Sequence, residues 1–149
     1  MKKIFISSLI FILTIINFNA NATDVVERMQ REHCERNKKS ISGEKFSKFK
    51  LSDKKEILNY MIFMYALQKE VNKEGLTPEI SNKLKAYKDS IKDKTSVEAR
   101  TFMLSLLCFL SADEKLQYYK QMAELIFSKI KSELDAKELI DYTTQIMFL

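Results

Sequence analysis

Only two glycines and one proline interrupt this chain of 149 residues, and that scarcity of breakers constrains its fold more than any motif. A β-rich fold needs clusters of turn residues every roughly 8 to 12 residues. Gly43, Gly75 and Pro78 cannot supply them. Helices joined by short links need few, because a helix satisfies its own backbone hydrogen bonds and can be capped by Ser, Thr or Asp. The sequence therefore predicts an all-α chain.

The N-terminus stands apart from the rest. Lys2 and Lys3 precede an apolar stretch, Ile4 to Ile16, broken only by Ser7, Ser8 and Thr14. Ala20 and Ala22 then form the small-x-small pattern that a signal peptidase reads. Residues 1–22 are expected to be a cleaved signal peptide of bacterial layout, cut between Ala22 and Thr23. The apolar core is too short for a spanning helix, which needs roughly 20 residues. Residues 23–149 are expected to form one helical domain, exported to the periplasm or secreted.

Capping signals divide that domain. Asp24 with Glu27 has capping-box spacing and opens a first helix to about Arg36, with Val25, Val26, Met29 and His33 broadly on one side. Residues 37–51 read as a loop, with one helical turn around Phe46. Ser52 and Asp53 open a helix to about Lys73. Its unbroken apolar run, Tyr60 to Leu67, marks it as central, and Gly75 ends it. Thr77, Pro78 and Glu79 restart the chain as cap, first-turn proline and first-turn acid. Ile80, Leu84, Tyr87 and Ile91 follow as a narrow stripe, so this helix lies on the surface. Thr95 with Glu98 opens an apolar helix through Leu110, expected to form the centre of the bundle together with the Tyr60 helix. Ser111 with Glu114 opens another, to about Ser132. Asp135 with Glu138 opens a last one, to about Met147, with a break preferred between these two. The expectation is five to six helices in a compact antiparallel or orthogonal bundle, with the apolar end Ile146–Leu149 either tucked in, which is preferred, or offering a docking patch.

Two cysteines, Cys34 and Cys108, lie in the exported part. An oxidising compartment favours pairing them over leaving two buried thiols. Such a bond would close a long loop and contribute about 4 kcal/mol.

Chemistry-bearing motifs are sparse. His33 is the single histidine, and as a helical neighbour of Cys34 it points about 100° away, so the two do not form a catalytic pair. One histidine and two cysteines are too few for a zinc site without carboxylates. Glu32 with Glu35, Asp113 with Glu114, and Asp135 with Glu138 read as caps and solvated faces. There is no phosphate-cradling glycine loop and no G-x-S-x-G serine. No catalytic residue, metal ligand or cofactor is assigned, and the chain is expected not to be an enzyme.

The formal charge is +5, reduced to +3 once Lys2 and Lys3 leave. This is too mild to indicate nucleic acid. The charge is concentrated, however. Between residues 37 and 55 stand Lys38, Lys39, Lys45, Lys48, Lys50, Lys54 and Lys55 against Glu44 and Asp53, with Phe46 and Phe49 among them. This is the candidate basic interaction surface, able to meet anionic lipid or an acidic protein. Three functional expectations follow. The first is a non-enzymatic binding protein that recognises another protein of the cell envelope, as an inhibitor, immunity protein or chaperone would. The second is a carrier of a small apolar ligand in a helical cavity. The third is a membrane-surface protein acting through residues 37–55.

Overall fold

The structure is a computed structural model that describes the backbone of residues 2–149 and the side chains of residues 22–149. Residues 1–21 of the expected signal peptide lie outside the residues whose side chains are described. Among the described residues the chain is helical, with no strand. Seven α-helices follow one another: α1 (Lys2–Ile41), α2 (Glu44–Ser47), α3 (Leu51–Glu74), α4 (Pro78–Ile91), α5 (Val97–Ser105), α6 (Ala112–Ile130) and α7 (Ala136–Met147). A 3₁₀ turn, Lys131–Glu133, separates the last two. The count is seven rather than five to six, because the single turn around Phe46 is a helix of its own.

Several boundaries differ from the sequence reading, each for a local reason. Asp24 lies inside α1 rather than capping it, and α1 runs past Arg36 to Ile41. Packing carries it through the polar stretch. Cys34, Asn37 and Ile41, spaced at three and four, are buried, and Asn37 Nδ2 donates to Tyr118 Oη at 3.1 Å. Val25, Val26 and Met29, read as lying broadly on one side, are exposed. Helix α3 starts at Leu51 with Lys50 as its N-cap, so Ser52 is not the cap. Asp53 in the first turn is buried and turned outward from its own helix. It accepts from Ser96 N at 3.1 Å and Ser96 Oγ at 2.8 Å. That grip selects Ser96, not Thr95, as the cap of α5, and Ser96 Oγ accepts from Ala99 N. Thr95 Oγ1 donates back to Ile91 O at the end of α4.

Helix α5 ends at Ser105 and does not continue through Leu110. Its orphan carbonyl at Leu106 accepts from the buried Tyr118 Oη at 2.6 Å, which closes the helix with a side chain where no glycine is available. The next residues run irregularly to bring Cys108 against Cys34. The two form a buried disulfide with 5.7 Å between Cα atoms, 74 residues apart.

The centre of the molecule is therefore α3 against α6, not α3 against α5. Ile57, Leu58 and Met61 of α3 and Met122, Ala123, Ile126 and Ile130 of α6 are fully buried. The pairing is antiparallel. Lys54 Nζ near the start of α3 meets Glu133 beyond the end of α6 at 3.2 Å, while Asn72 near the end of α3 donates to Ala112 O at the start of α6. Helix α1 packs on α6 in the same direction, since Arg31 reaches Glu114 and Asn37 reaches Tyr118. Helix α4 turns back along α3 after Gly75, whose φ of 79° suits glycine. Lys83 meets Glu70 at 2.8 Å, and the Tyr87 and Phe63 rings stack at 4.1 Å. The break before α7 is sharp. Asp135 and Glu138 form a complete capping box, and α7 then lies beside the first half of α3 through Lys55–Glu138 at 2.6 Å and Tyr142 Oη–Asn59 at 2.9 Å.

Candidate binding surfaces

The lysine-rich segment does not emerge as one open patch. Lys54 is buried, paired with Glu133, and lies over the Phe46 ring. Lys55 pairs with Glu138, Lys38 with Glu35 at 3.0 Å, and Lys48 with Glu44 at 2.7 Å. Lys45 lies over Phe102. Lys39 and Lys50 are exposed with no ion pair among the described residues. Phe46 is buried and Phe49 half-buried, and both rings pack on Phe102, which fastens the α1–α3 connection to α5. Lys54 and Lys55 thus act inward, clamping the end of α6 and the start of α7.

The carboxylate pairs have structural partners. The Arg31 guanidinium holds the Glu114 carboxyl below its usual range, assisted by Ser111. Lys55 does the same for Glu138, assisted by the Asp135 backbone. Cys34, beside His33, is consumed by the disulfide. Among the described residues no group of three His, Cys, Asp or Glu side chains is placed to hold a metal ion. A disulfide is consistent with an oxidising, exported environment, and among the described residues no helix is long and apolar enough to cross a membrane.

Two other surfaces stand out; the sequence singled out the apolar C-terminal end of the first, with tucking in preferred over a docking patch, and did not single out the second. The first is the outer side of α7. Its apolar arc is wider than the strip that docks. Tyr142 is buried and Ile146 half-buried, while Ile140, Met147 and Phe148 are 66%, 77% and 81% exposed. The C-terminal apolar residues are thus tucked in only through Ile146 and Leu149. The second is an open groove of about 620 Å³ between α4 and α5, floored by Tyr60 and Met103. Ile91, Val97 and Leu104 supply apolar walls, and Lys88, Lys92 and Arg100 stand around it with Asp93. Val97 and Leu104, seven apart on α5, are 63% and 55% exposed. The sequence signal for both surfaces existed as apolar residues spaced by seven on short helices, but it is identical to the signal for core.

Burial pushes several tyrosines up. Tyr60 is raised to about 12, first by desolvation and then by Tyr119. Tyr87, Tyr118 and Tyr119 are raised for the same first reason.

No family model, curated protein or solved structure matches this chain.

Proposed function

We propose that this chain is an exported, non-catalytic binding protein that recognises another protein of the cell envelope, in the manner of an inhibitor, an immunity protein or a small chaperone. The observation that carries this reading is the outer side of α7. Ile140, Met147 and Phe148 expose large apolar side chains on a helix that is itself firmly seated by a capping box, Lys55–Glu138 and Tyr142–Asn59. Exposed apolar side chains at Ile140 and, two turns on, at Met147 and Phe148 on a fixed helix end suit protein recognition, because binding them requires little ordering of the binder. Charged neighbours at Lys137 and Asp141 supply a polar rim. The disulfide supports an oxidising address and holds the body rigid.

The test pairs the mature protein with Ile140→Asp/Met147→Asp, a variant confined to exposed positions. Both are immobilised, challenged with envelope extract, and compared for what they retain, with helical circular dichroism as the folding control. The reading expects a defined partner on the wild type that the folded variant releases. Retention of the same proteins by both, or of none by the wild type, defeats it.

A further inference from the structure

We infer that the groove between α4 and α5 is a binding site for a single-chain anionic amphiphile, a fatty-acid carboxylate in chemical class. This site is separate from the α7 face and does not depend on the reading given to it.

Shape comes first. Ligand clefts typically measure about 300–1,000 Å³, and this one is about 620 Å³. It is open to the surface rather than an interior cavity, so a hydrocarbon can enter it without opening the core. The floor is Tyr60 and Met103, both almost wholly buried, which gives a fixed apolar base. The α5 wall offers Val97 and Leu104, exposed side chains on one helical face with Thr101 between them. Thr101 Oγ1 already donates to Val97 O, so its polarity is turned into the helix. Covering these side chains with a hydrocarbon removes apolar area from water, at about 25 cal/mol per Å².

Charge decides the head group. Lys88, Lys92 and Arg100 border the groove, against the single carboxylate of Asp93. Lys92 is partly committed to Asp89, at 2.9 Å, and holds that carboxyl below its usual range. Lys88 has no ion pair among the described residues. Arg100 Nη1 donates to Lys92 O, which caps the end of α4 and fixes the guanidinium at the groove. An arginine carries five N–H donors in a fixed fork, so four remain for a bidentate acceptor. A carboxylate matches that fork, and hydrogen bonds with an ionised partner are the strong ones. An uncharged tail would use the walls and leave this rim idle, whereas a short anion would use the rim and leave the walls wet.

The experiment titrates the mature, oxidised protein with dodecanoate below its micelle concentration by calorimetry. Dodecanol and acetate serve as probes of tail alone and head alone, and phosphatidylglycerol vesicles report a membrane surface. The expected result is saturable one-to-one binding of dodecanoate, with dodecanol and acetate each weaker by about tenfold or more. Lys88→Glu and Arg100→Glu should each weaken dodecanoate by about tenfold, and Leu104→Asp should weaken dodecanoate and dodecanol alike. Lys88 is exposed and holds no other element, so Lys88→Glu stays informative even if Arg100→Glu frays α4. Ile140→Asp/Met147→Asp should bind dodecanoate as the wild type does, which separates this site from the α7 face. Equal affinity for dodecanol, indifference to both charge reversals, binding to vesicles without binding to free dodecanoate, or no binding at all would each overturn the assignment.

Discussion

At the residue scale, two buried tyrosines make opposite predictions. The hydroxyl of Tyr118 is spent twice. It donates to Leu106 O and accepts from Asn37 Nδ2, joining α1, α5 and α6 in one network. Removing it strands a buried carbonyl and a buried amide, and an unsatisfied buried group costs about 1–3 kcal/mol. Tyr118→Phe should therefore lower the urea midpoint by a matching amount. The hydroxyl of Tyr60 is buried with no hydrogen-bond partner among the described residues. Tyr60→Phe removes that uncompensated group and should leave the midpoint unchanged or raise it. A destabilised Tyr60→Phe would show that the hydroxyl is satisfied in solution. Neither role was legible in the sequence, where both residues are simply aromatic positions in apolar helices. Asp53 is a similar case. Its place in the first turn of α3 was readable from the helix dipole, but its grip on Ser96, forty-three residues on, exists only once α3 and α5 are side by side.

At the scale of elements, the readable starts were those set by a few neighbouring residues. The cap at Thr77 with Pro78, the box at Asp135 with Glu138, and the stop at Gly75 all stand as read. The box at Thr95 failed because a distant carboxylate chose the adjacent serine, and the extent of α5 was misread because a distant hydroxyl ended it. Of the candidate basic surface, the sequence showed where the lysines lie along the chain but not that Lys54 and Lys55 point inward, because their partners at Glu133 and Glu138 arrive from the far end. Helix α7 depends most on its start. Asp135→Ala should destabilise it by about 1 kcal/mol, seen as faster amide exchange confined to residues 136–147. Acid should act on the same place. Glu138 has a folded value depressed below its ordinary 4.5 by Lys55. Its contribution is therefore present above that ordinary value and lost as pH falls through the depressed one. Exchange in α7 should rise in that window before the α3–α6 core responds, and Lys55→Met should narrow the difference, leaving the part that the Asp135 backbone supplies.

For the whole molecule, the tyrosines set an alkaline limit. Tyr60 is raised from 10.0 to about 12 by burial. A group whose folded value lies above its unfolded one contributes fully below the unfolded value and loses that contribution as pH rises through the folded one. Stability should thus decline from about pH 10 to 12, steepened by Tyr87, Tyr118 and Tyr119, which move in the same direction. Tyrosinate absorbance and helical circular dichroism should change together. Absorbance changing first would mean that these rings ionise inside an intact fold. The disulfide makes the second global prediction. Closing a loop between cysteines 74 positions apart should be worth about 4 kcal/mol, so Cys34→Ser/Cys108→Ser should unfold at correspondingly lower denaturant. That pairing was legible only as an option among two cysteines, since spacing along a chain says nothing about approach in space.

The bond also imposes an order in time. Under the export proposed above, N-terminus first into an oxidising space, Cys34 would arrive early and its thiol would wait while α2, α3, α4 and α5 pass before Cys108 arrives. Helix α6, the main partner of α3, follows Cys108 by only a few residues. Until then α3 can bury its face only against α4 and α5. The covalent ring thus becomes available before the α6 side of the core, Met122 to Ile130, has followed. The bond can form only once Cys108 has emerged, with α6 and α7 still to follow.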